Sequence, residues 1–449
     1  MIFRFFLSLL IPTIFGAGIL SLIIRKKQSK IVSLICSFAL GTGLTTYLMF
    51  WTGLLGLPFS DFIKIIIILA TIILILLIKK SWKKIYIKGI LKSITIKFYR
   101  LNILEIILIL VIIFQFSFVF SESLMRPIIN FDAVANWAFK AKVFFSQSQQ
   151  AFDHTSSLFL GGGHQNYPLH VPLLMTWTYL WIGGVNDVIV GIIFALYFLS
   201  LICFIYFTLR SLTSRKLSLI FTTFLATLPL LSYHGFSAYA DLILAFYFTV
   251  ATVFVFKYLQ QRNYQDLALA GIFAGLTTWV KNEGLMLVGV LLLAFMVYCF
   301  LKKSLFKNRG KVNYKICFKS VLYILCLVFP WLIFKKYFGL GYDNVSAGAV
   351  SFNGFHFEIL PVLLYQLFFE HSFHFWFGFF VLIMLFRRNR IFNSSNLYLF
   401  LVILGVFCSY LVIYLFTPSY QFVVDGTIVG RNFLTIVPVS IFLAGALHS

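Results

Sequence analysis

Charge is what this chain has least of. Asp, Glu, Lys and Arg make up 11% of its 449 residues, against about 25% in soluble globular proteins. That shortage excludes a water-facing surface around most of the chain. Acidic residues are scarcer still, numbering 13. The six cysteines (Cys36, Cys203, Cys299, Cys317, Cys326 and Cys408) sit in or beside apolar runs without any CxxC spacing. They read as small buried hydrophobes, with no zinc site or disulfide framework implied. There is also no evident internal repeat, no low-complexity linker, and no glycine-rich phosphate loop or Rossmann-like stretch.

What is present is hydrophobic: 61% of residues, with 19% aromatic and a mean hydropathy of +0.98. Apolar stretches near 20 residues recur from end to end, long enough to cross a hydrocarbon core of about 30 Å. The chain is therefore expected to be an all-α, polytopic transmembrane bundle. Thirteen spans are expected, at 4–24, 31–55, 62–78, 102–121, 186–209, 217–233, 239–257, 265–280, 284–301, 318–337, 373–387, 397–416 and 432–447. Two shorter apolar stretches, 168–183 and 358–370, contain Pro, His or Glu and read as helices lying in the membrane interface. Residues 1–24 resemble a signal peptide in having Arg4 before an apolar run. They lack a small-residue cleavage site and end on Arg25-Lys26-Lys27, which makes them a retained span.

The net charge of +23 would suggest nucleic acid in a soluble protein; here membrane topology accounts for it, and no nucleic-acid partner is expected. Of the 36 Lys and Arg residues, 27 fall in six inter-span loops: 25–30, 79–100, 210–216, 257–262, 302–319 and 387–390. With the spans as given, all six lie on one side, which the positive-inside rule makes cytoplasmic. The N-terminus is then outside and the C-terminus inside. The Lys-rich loops read as orientation signals and contacts for membrane lipids. Eleven of the 13 acids fall on the outer side, a skew that insertion does not require.

Five outer-side motifs can do chemistry. Past the fourth span, Asp132, Asn136 and Lys140 form an i, i+4, i+8 stripe with Trp137 beside it. Gly161-Gly162-Gly163-His164 leads to Tyr167-Pro168, which opens the 168–183 helix; His164 and His170 read mainly as hydrogen-bonding groups, and no metal is assigned. Tyr239-Ala240-Asp241 puts an ionisable residue at the mouth of a span, where it is costly and functional by default. Gly271 and Gly275 give a close-packing GxxxG face, followed by the turn Lys281-Asn282-Glu283-Gly284. Lys281 breaks the charge rule by lying outside. Arg431, at the start of the last span, suits an anionic group such as phosphate.

In these elements the sequence resembles the C-type (GT-C) membrane glycosyltransferases that use polyprenyl-phosphate-linked sugars. It is most like the bacterial branch related to protein O-mannosyltransferases and the lipid A aminoarabinose transferase. The resemblance rests on Asp132 with Trp137 and Lys140, Tyr167-Pro168-Leu169, Tyr239-Ala240-Asp241, Gly275-Leu276 through Gly284, and Arg431, and it covers about residues 102–447. It implies a GT-C-like catalytic membrane domain over residues 101–449, including outer loop 122–185. Residues 1–100 become an N-terminal three-span addition with a Lys-rich cytoplasmic loop. The first loop has a lone Asp132 in place of a DxD-type acidic pair, so no cofactor is required; a divalent metal stays open but unsupported.

The resemblance implies an inverting hexosyl- or pentosyltransferase of the cell envelope. Its partners would be a polyprenyl-phosphate-linked sugar donor and a glycan, lipid or protein acceptor. Asp132 would be the general base toward the acceptor hydroxyl. Lys281, Arg431 and Lys140 would bind the donor phosphate. Asp241, Glu283, Trp137, His164 and Tyr167 would orient the acceptor or hold the cations. Two alternatives stand beside this reading. An O-antigen ligase or polymerase-like enzyme would centre on the late outer loop with His356, His371 and His374. A lipid-linked-sugar transporter would place its ionisable residues near mid-span.

Overall fold

A computed structural model describes residues 1–24, 29–82, 101–147, 151–302, 314–341, 351–392 and 394–448. Most of the Lys-rich loops at 79–100 and 302–319, and part of the late outer loop, lie outside the described residues. Among the described residues all regular structure is helical, with no strand. That is what a lipid-embedded backbone requires, since hydrocarbon offers its amides no partner.

In chain order the helices are α1 (Ile2–Ile23), α2 (Lys30–Leu54), α3 (Phe59–Trp82), α4 (Ile103–Met125), α5 (Phe139–Gln147), α6 (His170–Ile182) and α7 (Asp187–Leu209). Next come α8 (Arg215–Thr227), α9 (Pro229–His234), α10 (Ala240–Gln261), α11 (Tyr264–Val280), α12 (Glu283–Leu301) and α13 (Tyr314–Tyr337). The last are α14 (Leu360–Phe368), α15 (Trp376–Phe386), α16 (Arg388–Phe392), α17 (Asn396–Phe416), α18 (Tyr420–Val424), α19 (Val429–Phe433) and α20 (Val437–Ala446).

Nine helices among the described residues are long and apolar enough to cross a membrane: α1, α2, α3, α4, α7, α10, α12, α13 and α17. The other four expected spans hold shorter helices. The 17 residues of α11 and 13 of α8 reach about 25 and 20 Å at 1.5 Å per residue. Helix α15 follows the segment ending at Phe373 across a bend of 105°, and α20 has only 10 residues. Part of the stretch 358–370 forms the short helix α14, with Leu363, Gln366 and Leu367 buried and Leu364 and Tyr365 exposed.

The stretch 168–183 differs from expectation. It forms a helix, but α6 leaves little of its surface for lipid: every side chain from His170 to Tyr179 is buried by protein. Its His170 and Thr176 side chains are satisfied internally. His170 Nδ1 pairs with Thr46 Oγ1 of α2 at 2.7 Å, and the Thr176 hydroxyl donates to the Ala141 carbonyl at 3.2 Å.

Helix α10 lies at the centre, buried along almost its whole length. Helices α1 to α3 share this core: Thr42 of α2 bonds Tyr197 of α7 at 2.7 Å, and the indole of Trp279 on α11 donates to Thr46 at 3.2 Å. Gly271 and Gly275 press α11 onto α13, where an added Cβ would meet the Ser320 carbonyl at 2.5 Å and the Leu327 side chain at 2.7 Å. Helices α1 and α2 cross still more closely. A Cβ on Gly41 would stand 1.8 Å from the Pro12 carbonyl oxygen, so no larger residue fits without parting the pair. Gly41→Leu is therefore expected to destabilise the protein by at least about 1–3 kcal/mol. A lowered thermal unfolding midpoint in detergent would register this, whereas Leu34→Phe on the exposed face of the same helix should leave the midpoint unchanged.

Candidate active site

A chain this poor in charge gathers five charged side chains around one cavity. Lys281 occupies the extended break between α11 and α12, with φ −156° and ψ 154°. That break is tight because Gly284 opens α12 directly against α11, where a Cβ would lie 2.3 Å from the Thr277 carbonyl oxygen. Asp241 sits in the first turn of α10, where the helix dipole favours a carboxylate. Arg431 comes from the short α19, which the fold brings back to α10 from the far end of the chain.

Asp241 joins the two cations. Its Oδ1 accepts from Lys281 Nζ at 3.0 Å, and its Oδ2 accepts from Arg431 Nη2 at 3.2 Å and Nε at 3.4 Å. Each cation has a second carboxylate on the cavity side: Glu283 Oε1 lies 2.8 Å from Lys281 Nζ, and Asp132 Oδ2 is ion-paired with Arg431 Nη1. Tyr239 adds a face, with the guanidinium carbon of Arg431 4.7 Å from its ring centroid. Asp241 is 1% exposed and Lys281 6%, while the Arg431 and Asp132 side chains keep 25% and 27%. The buried acid thus anchors, and the outer pair faces the cavity.

Burial alone would push the Lys281 ammonium toward neutrality, but the carboxylates of Asp241 and Glu283 outweigh it and hold its pKa above the usual lysine value. Burial acts the same way on Arg431 and is likewise overcome, by Asp241 and Asp132. Both cations stay charged across the physiological range.

The first outer loop supplies the facing wall through an unusual turn. Residues Ala133–Ala138 wind as a π-helix, with the Phe139 amide reaching the carbonyl of Val134 five residues back. One extra residue in the turn puts positions i and i+5 on one face, so Asp132 and Trp137 look into the cavity together. The expected stripe of Asp132, Asn136 and Lys140 assumed α-helical spacing. Asp132 and Asn136 do line the cavity, but Lys140 does not. It is buried at 1% exposure, and its ammonium donates to the His164 carbonyl at 2.7 Å. Gly161, at φ +82°, lets the loop close over it, since a Cβ there would lie 2.8 Å from the Lys140 Cα.

The cavity encloses about 540 Å³. Its walls include Asp132, Asn136 and Trp137 from the π turn, His164 and Tyr167 from the glycine loop, and Tyr239 ahead of α10. Lys281, Glu283, Arg431 and Asn432 also line it, with Phe131, Phe422, Thr427 and Ile428. Of the residues expected at a site, only Lys140 and Asp241 are absent from this lining, and Asp241 stands directly behind it. The histidines of the late outer loop do not line it; His356 instead pairs with Glu358 at 2.9 Å. Tyr239 and Asn432 were missed as wall residues; the signal for the first was its place two residues before Asp241. Among the described residues no group of three or more His, Cys, Asp or Glu side chains is placed to hold a metal ion.

Residues 167–339 match the family of dolichyl-phosphate-mannose-protein mannosyltransferases. The backbone resembles the crystal structure of ArnT from Cupriavidus metallidurans bound to undecaprenyl phosphate, with a TM-score of 0.53 and 16% sequence identity over 76% of this chain and 59% of ArnT. The chain has the C-type (GT-C) membrane glycosyltransferase fold. ArnT in its apo state matches with a TM-score of 0.52 at the same identity and coverage. The chain thus spans 59% of ArnT's length. No curated protein sequence matches it. Within the C-type fold, the family match takes in Tyr167, Asp241, Lys281 and Glu283. Asp132 and Arg431 lie outside the matched segment, and tertiary packing brings them to the same cavity.

Proposed function

We propose that this membrane protein is an inverting glycosyltransferase that moves a sugar from a polyprenyl-phosphate donor to an acceptor hydroxyl on the extracytoplasmic side. The observation behind this reading is the buried Asp241 carboxylate holding Lys281 and Arg431 side by side in the cavity wall that Asp132 faces. Two fixed cations suit a phosphate leaving group. They are oriented before it arrives, so little reorganisation accompanies the charge that develops as the glycosidic bond breaks. Asp132 then takes the proton from the acceptor hydroxyl as that oxygen attacks the anomeric carbon. His164 and Tyr167 border the acceptor side. Lys140 acts one step back, holding the glycine loop that carries His164.

Arg431 divides its N–H groups between Asp132 and Asp241. The donor phosphate would compete with Asp132 for this guanidinium and so release the carboxylate when the substrate is in place.

Purified protein incubated with a panel of polyprenyl-phosphate sugars and acceptors is expected to release polyprenyl phosphate only with a matching pair. Release from none of the donors would remove the proposal. Orientation has its own test. Reporter fusions at Asp153 and Lys302 should report opposite sides, with Lys302 cytoplasmic as the distribution of Lys and Arg predicts.

A further inference from the structure

Three polar atoms of the cavity-lining residues are unaccounted for by the protein. The Trp137 indole Nε1, the Asn136 amide Oδ1 and the Glu283 Oε2 are all buried and make no hydrogen bond within the chain. Buried polar groups are nearly always paired, so three orphans around one cavity call for an explanation. They are not scattered. Asn136 and Trp137 are consecutive in the π turn that bears Asp132, and Glu283 holds Lys281 through its other oxygen.

Resting on the glycosyltransferase reading above, we infer that these three atoms form the subsite for the donor's sugar ring, between the base and the phosphate-binding cations. The set is two acceptors and one donor. It fits a polyhydroxylated ring that gives hydrogen bonds from two hydroxyls and receives one on a third oxygen. The π turn is the device that makes this possible. With i→i+5 winding, the Trp137 side chain turns to the face that bears Asp132. Tyr167 fixes the indole from the side, with ring centroids 5.6 Å apart in an edge-to-face arrangement. All three residues line the cavity, so turns of their side chains bring these atoms to a bound ring. A site built this way discriminates by leaving its own groups unpaired when the hydroxyl is missing.

The test compares binding of bare undecaprenyl phosphate with binding of undecaprenyl-phosphate-linked glucose, mannose, galactose and N-acetylglucosamine. Trp137→Phe removes the N–H and keeps the packed ring; Asn136→Leu removes the acceptor with little change in size. Wild-type protein is expected to bind at least one sugar-bearing lipid more tightly than the bare lipid. Each variant should lose about tenfold in affinity for that lipid, the scale of one buried group left unpaired, while bare-lipid binding stays within about twofold. Equal losses for both lipids, or no loss for either, would overturn the subsite and reassign these atoms to packing or to bound water. A wild type that prefers none of the sugars over the bare lipid overturns it as well. Failure of wild type to bind even the bare lipid would instead sink the glycosyltransferase proposal.

Discussion

Asp241→Asn is expected to lower stability by about 3 kcal/mol and to remove nearly all sugar transfer. Removing one member of a buried ion pair costs about 3–5 kcal/mol, because the partner charge is left uncompensated. Here two partners are left, Lys281 and Arg431. Each keeps a second carboxylate, Glu283 or Asp132, on its more exposed side, which places the cost toward the lower end. A depressed thermal unfolding midpoint in detergent would measure it. The double variant Asp241→Leu with Lys281→Met separates stability from function: an apolar pair of similar volume should recover much of the midpoint and none of the transfer. Recovery of both would show Lys281 and Asp241 to be structural only. The pH dependence follows from the sign of the lysine shift. Lys281 has a pKa raised in the folded state, so its stabilising contribution is complete below the ordinary lysine value near 10.4 and is lost progressively as pH rises from there through the raised one. The difference between wild type and Asp241→Asn should accordingly be flat between about pH 6 and 9.

The parts of this site that were legible in the sequence share a physical reason. In a chain that is 11% charged, an acid or a base at the outer end of an apolar span has no solvation to explain it. Asp241, Lys281, Glu283 and Arg431 each stood out on that ground, and packing gathers all four. Long lipid-facing helices were legible for the same reason, as apolar runs of sufficient length. What was not legible depended on neighbours. Helix α6 looked interfacial because its Pro and His are poor company for lipid; the structure hides it in protein, where Thr46 receives His170. The π turn leaves no periodic signature, since one residue inserted into one turn changes a face without changing composition, and Lys140 was misplaced as a result. Asp132 and Arg431 are 299 positions apart. Each was legible as a candidate, but their pairing belongs to tertiary structure alone.

That pairing gives Asp132→Asn two readouts of opposite sign. As the general base, Asp132 is expected to account for about 10²–10⁴ in rate, so the asparagine variant should transfer sugar at that fraction of the wild-type kcat. As the carboxylate that shares Arg431 with Asp241, it also competes with the donor phosphate for the guanidinium. Neutralising it should leave binding of undecaprenyl phosphate unimpaired, or tighten it severalfold. Charge–charge competition near a surface weakens with salt, so any tightening should shrink as ionic strength rises. Misfolding would lower both readouts, and a purely structural role would lower binding at least as much as rate. Loss of turnover together with retained or improved phosphate binding is the pattern that only a base released from Arg431 by its substrate would produce.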